Sequence, residues 1–246
     1  MTGPLPSSYD TTREGLHQVA VHVVARARAQ ATGRFGLRVT AGGFGTPEFG
    51  TGPQRVRVSG SSLLAESGAA GGATTRAAIL DGSSLREAAR IAEVDLAAGL
   101  SVGDDTPPLG DVDRRLSIDR TAAAVVTGWF TLVAESLDAV VAELDASAAP
   151  TMVQLWPEHF DVALDVAFDP AAAGERRVNL GGSPGDGWRA EPYLYVGPWT
   201  ADRPGDPAFW NAPFGAVLGY EAVASSDDAR ATTVAFFRRG LALLSG

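Results

Sequence analysis

The segment His159-Phe160-Asp161-Val162-Ala163-Leu164-Asp165-Val166-Ala167-Phe168 decides the fold class. Apolar residues alternate strictly with polar or small ones through it, the period-2 pattern of a strand with one buried face. Phe160, Val162, Leu164, Val166 and Phe168 form the core side, and His159, Asp161, Ala163, Asp165 and Ala167 form the other. An antiparallel sheet commonly shows one such polar face to water.

Working outward, Val153 to Phe168 and Pro192 to Val196 read as strands, with a short strand at Val178 to Leu180 between them. In the second of these, Leu194 and Val196 point inward while Glu191, Tyr193, Tyr195 and Trp199 share the opposite face. Upstream, Val125, Trp129, Leu132, Val133, Leu137, Val140 and Leu144 recur at three and four residues, which predicts a long amphipathic helix over 120–145. Downstream, Ser226-Asp227-Asp228 caps a closing helix with Val234, Phe237, Leu241 and Leu244 on one face.

In the first half, Thr11 and Glu14 have capping-box spacing and predict a helix from there to about Thr32, stopped by Gly33. Phe35 to Val39 and Arg55 to Val58 alternate as half-exposed strands and are expected to pair. The intervening Gly42 to Gly50 reads as a loop because of its glycines and proline. A short strand at Arg76 to Leu80 precedes a second capping box, Ser84 to Glu87, and a helix to about Val94. Residues 99–112, with Asp104-Asp105 and Pro107-Pro108, read as an exposed linker. Strand runs and helices without regular βαβ alternation predict an α+β fold with an antiparallel or mixed sheet. One integrated domain over 1–246 is expected, its weakest division near 99–118.

The chain has 246 residues and 45% hydrophobic content, enough for a core that needs neither metal nor disulfide. A net charge of −9 repels a phosphate backbone, so nucleic acid is not an expected partner. Every basic residue is Arg, which excludes lysine chemistry, and the absence of Cys excludes thiolate chemistry. The N-terminus has no signal-peptide pattern, and no window of the sequence holds 18 uninterrupted apolar residues, so neither secretion nor membrane insertion is expected. Cytoplasmic residence follows by elimination.

The candidate chemistry gathers between Trp156 and Trp199. If the strands around 160 and 195 are neighbours, His159, Asp161, Glu191 and Tyr193 line one surface beneath the Gly-rich stretch from Asn179 to Gly187. His159, Asp161 and Glu191 are then the catalytic candidates, with His159 as a general base. Trp156, Glu158, Asn179, Ser183, Asp186, Tyr193 and Tyr195 are the ligand-binding candidates. Gly181-Gly182-Ser183-Pro184-Gly185 spells a nucleophile elbow, yet Pro184 has no N–H for an oxyanion hole and no His follows Ser183. His159, Asp161 and a further carboxylate, Asp165 or Glu191, have ligand chemistry at an unspecific spacing, so neither metal nor cofactor is assigned.

Three motifs carry a resemblance: Leu155-Trp156-Pro157-Glu158-His159-Phe160-Asp161, Asn179-Leu180-Gly181-Gly182-Ser183-Pro184-Gly185-Asp186 and Glu191-Pro192-Tyr193-Leu194-Tyr195-Val196. With Gly42 to Pro47 they make the chain resemble a family of uncharacterised actinobacterial proteins. That resemblance implies one bacterial, cytosolic unit and supplies no activity. Two functional readings stand: small-molecule binding or acid–base hydrolysis around His159, Asp161 and Glu191, or a non-catalytic structural or protein-interaction module.

Overall fold

The computed structural model of the chain describes residues 3–52, 54–69, 72–100, 102–103, 106–169 and 176–246. The fold is α+β, with two antiparallel five-stranded sheets and flanking helices. The chain forms two compact units. The N-terminal unit comprises Leu5–Gly128 and Leu155–Phe160; the C-terminal unit comprises Trp129–Gln154 and Asp161–Gly246 with Met1–Pro4.

The N-terminal unit opens with α1 (Tyr9–Val19), a π-helical segment (Ala20–Ala25) and α2 (Arg26–Thr32), continuous with one another. The helix starts at Tyr9 rather than after Thr11, and its N-cap, Ser8, makes no side-chain bond. Thr12 is buried instead, its Oγ1 accepting the Asp119 N–H at 3.0 Å. Gly33 ends α2 at φ 70°, the left-handed C-cap conformation that glycine adopts without strain.

Strands β1 (Arg38–Thr40), β2 (Gly43–Gly45), β3 (Gln54–Ser59), β4 (Ser62–Ala69) and β5 (Gly72–Ile79) form a meander in that order. The expected pairing of the first two runs is corrected: β2, inside the stretch read as a loop, lies between β1 and β3. A Cβ on Gly43 would run into the Val58 carbonyl oxygen, and one on Gly45 into Arg57. Here glycine permits a strand by letting backbones approach. Helix α3 (Leu85–Ala92) carries the full capping box: Ser84 Oγ accepts the Glu87 N–H at 3.3 Å, and Glu87 Oε2 accepts the Ser84 N–H at 2.9 Å. Such a cap contributes about 1 kcal/mol. The stretch 99–118 belongs to this unit; Ser101, Asp104 and Asp105 lie outside the described residues.

Helix α4 (Arg120–Val141) spans the division between the units. It is long and apolar enough, by length and composition alone, to cross a bilayer. Within the C-terminal unit, however, Trp129, Phe130, Val133, Leu137 and Val140 are fully buried, as in a core helix. The second sheet has the order β10-β9-β8-β7-β6, from β6 (Gln154–Trp156), β7 (Asp161–Ala167), β8 (Arg177–Ser183), β9 (Tyr193–Pro198) and β10 (Ala216–Gly219). Its inner face is covered by α4 and the C-terminal helix. A Cβ on Gly182 would sit 2.5 Å from Val133, and one on Gly240 would sit 2.8 Å from Val196. A short helix, α5 (Tyr220–Ala224), precedes α6 (Ala229–Ser245), which is capped by Asp228 accepting the Ala231 N–H at 2.9 Å.

Candidate functional site

The alternation that decides the fold starts at Asp161, two residues later than the sequence suggests. Phe160 adopts φ 55°, a left-handed conformation rare for an aromatic residue, and its N–H donates to the Trp156 carbonyl at 2.8 Å. Trp156 to Phe160 is therefore a closed turn, and the placement of His159 on the β7 face is corrected. The Phe160 ring explains the turn: it stacks on His17 with centroids 5.0 Å apart and meets Phe44 edge-on at 5.4 Å, in the core of the N-terminal unit. His159 is exposed in that turn.

The ten candidate residues divide accordingly. Trp156, Glu158 and His159 belong to the N-terminal unit, while Asp161, Asn179, Ser183, Asp186, Glu191, Tyr193 and Tyr195 belong to the C-terminal unit. In the latter, β8 is a full strand of seven residues running through Gly181, Gly182 and Ser183, where a Gly-rich connection was expected. It separates β7 from β9, so Asp161 and Tyr193 lie on one face without being on neighbouring strands.

Register builds that face row by row. Ala163, Gly181, Tyr195 and Val217 lie abreast; Asp165, Asn179 and Gly197 form the next row. Gly181 has no side chain, so the Tyr195 ring crosses it and its hydroxyl donates to Asp161, which is only 7% exposed. Tyr193 donates to Asp186 Oδ2 at 2.5 Å. The other oxygen of Asp186 accepts the N–H groups of Trp188 (2.8 Å) and Arg189 (3.0 Å), which folds the 186–189 turn. Burial first, and then the neighbouring carboxylate, pushes both phenols well above their ordinary value of 10.

Other polar side chains of this face pair as well. Arg177 pairs with Asp165, Asn179 Oδ1 accepts from the Trp199 indole at 2.8 Å, and Glu191 pairs with Arg189 at 3.4 Å. Ser183 is 2% exposed, and its Oγ accepts the Gly185 N–H at 3.0 Å. The Ser183 hydroxyl closes a turn. Among the described residues, no group of three or more His, Asp or Glu side chains is arranged to hold a metal ion.

The large aromatics show the opposite behaviour. Trp188 is 49% exposed, Trp199 57% and Phe214 39%. Trp188 meets Phe214 at 5.1 Å and Tyr193 at 5.3 Å, both edge-on, and the Arg177 guanidinium lies over Trp199 at 5.9 Å. Sequence reasoning missed Phe214, two residues before β10, because the Ala-Val-Leu-Gly of that strand has no alternating polarity to announce it.

Neither a family model, nor a curated protein, nor a solved structure matches the chain.

Proposed function

We propose that this is a cytoplasmic, non-catalytic recognition module whose C-terminal unit docks a basic protein segment on the outer face of its second sheet. One observation carries the reading: on this face the polar side chains are paired with one another while Trp188, Trp199 and Phe214 stay open to solvent. Exposed aromatics beside arginine form the energetic centres of protein interfaces. The face carries Asp161, Asp165, Asp186 and Glu191 against Arg177 and Arg189, on a chain of net charge −9, so its complement is cationic. Arg177 over Trp199 already shows a guanidinium stacked on one of these indoles.

Acid–base hydrolysis fits the same residues less well. Its carboxylate Asp161 is buried and already accepts the Tyr195 hydroxyl. Glu191 is exposed and ion-paired, and His159 stands in the 156–160 turn and not on β7.

The test is a titration of the purified chain with an arginine–serine repeat peptide, using tryptophan emission as the readout and a glutamate–serine repeat as the control. Binding weakened at least about tenfold by Trp188→Ala or Trp199→Ala supports the reading. Equal binding by wild type and both variants would reduce it to bulk charge. A thermal-shift response to a metabolite, lost in His159→Ala, would replace it with the hydrolytic alternative.

A further inference from the structure

The N-terminal unit holds a cavity of about 410 Å³ between α1 and the segment 107–117. Its volume is within the range of small-molecule sites. One wall is a single stripe of α1, Thr11, Glu14, Gly15 and Gln18, at spacings of three and four residues. The other is apolar, formed by Pro107, Pro108, Leu109 and Leu116.

The helical wall carries an imidazole acceptor and a buried amide oxygen without a donor. His17 Nε2 lies 2.9 Å from the Pro157 carbonyl oxygen and 3.1 Å from that of Glu158. Both partners accept, so Nε2 carries the hydrogen and Nδ1 is the acceptor nitrogen of the ring. Burial holds this imidazole at about 4, so it is neutral at physiological pH. Gln18 Oε1 is buried and accepts no hydrogen bond. An unsatisfied amide oxygen carries a desolvation penalty that an incoming N–H would relieve.

The helix next to these residues departs from regular geometry. Immediately after Val19 it widens into the π-helical turn Ala20–Ala25, a feature often found at functional sites. That turn carries His22, whose Nε2 lies 3.0 Å from the Pro107 carbonyl oxygen. The helix that builds one wall therefore also fixes the other.

We infer that this cavity binds a small neutral molecule with an apolar body and an N–H donor, which His17 and Gln18 accept. The charged rim is balanced, Glu14 and Asp111 against Arg114 and Arg115, and so favours no net charge in the ligand. The pocket shares no lining residue with the sheet face proposed above for protein docking.

A matched pair of probes tests it: benzamide, which has amide N–H donors, and N,N-dimethylbenzamide, which has none. Titrated at millimolar concentration, benzamide is expected to shift the backbone amide signals of Gly15, Gln18 and Leu116, and the dimethyl compound to bind about tenfold more weakly. Gln18→Leu, which removes the acceptor, and Leu109→Trp, which fills the cavity, should each weaken benzamide about tenfold, whereas Trp188→Ala should leave it unchanged. If one variant fails to fold, the other carries the test. Silence of those amides toward both compounds, equal binding of the two, or undiminished binding to the folded variants would overturn the inference.

Discussion

Tyr195 lies directly across Gly181: a Cβ on that glycine would sit 2.5 Å from the phenol oxygen that donates to Asp161. The requirement is for space, since Gly181 is not among the residues with positive φ. Gly181→Ala is expected to displace the ring, break the bond to Asp161 and cost about 1–3 kcal/mol, as overpacking of a fitted site does. Gly197→Ala is the control, because its Cβ would meet only Phe214 O at 3.9 Å and Asn179 Cβ at 4.0 Å. That change should be neutral or stabilise by about 0.5 kcal/mol through the unfolded chain. Urea denaturation of both variants checks the contrast.

The phenols of Tyr193 and Tyr195 set an alkaline limit. Both are raised above 10 in the folded protein, so above pH 10 the unfolded chain loses these protons first and stability falls as pH rises. Spectrophotometric titration should show Tyr193 and Tyr195 ionising only together with unfolding. Tyr195→Phe should reduce the steepness of the alkaline loss. Normal titration of all four tyrosines in the native protein would refute the enclosed phenol–carboxylate pairs.

The sequence made the sheet faces legible and hid their order. Val162, Leu164 and Val166 face the core as their alternation requires, and the Ser84 and Asp228 caps start the helices they announce. Two features escape periodicity, and both concern contacts distant in sequence. Glycine reads as punctuation in the sequence, but Gly43, Gly45, Gly181 and Gly182 lie inside strands because a backbone or a large side chain needs their missing Cβ. Phe160 continued the period-2 pattern while its ring was held by His17 and Phe44, which turned the chain and removed His159 from the strand. Periodicity registers what one strand buries; it does not register which core receives a given ring.

His17 predicts an acid limit of the opposite sign. Its folded value, about 4, lies below the ordinary 6.5, so the unfolded chain takes up the proton first as pH falls. Stability contributed by the neutral ring is complete above pH 6.5 and is lost between there and about 4, amounting to about 3 kcal/mol at most. His22, lowered mainly by burial, acts in the same direction. His17→Gln keeps a donor for the Pro157 and Glu158 carbonyls but does not titrate, so its denaturation midpoint should vary less between pH 7 and pH 4 than that of wild type. Parallel pH profiles of the two proteins would refute the assignment.

Ser136 is fully buried on α4, and its hydroxyl finds no hydrogen-bond partner. A serine inside a helix ordinarily returns its hydroxyl to a carbonyl one turn earlier. Without that bond the group forfeits its hydration and gains nothing in exchange, a loss of about 1–3 kcal/mol. Alanine removes the oxygen, fits the same space and has higher helix propensity. Ser136→Ala is therefore expected to stabilise the protein by about 1 kcal/mol, read as a higher denaturant midpoint at unchanged slope. A fall in the midpoint would mean that the hydroxyl is satisfied in solution, by water admitted to the α4 interface or by a carbonyl of the preceding turn.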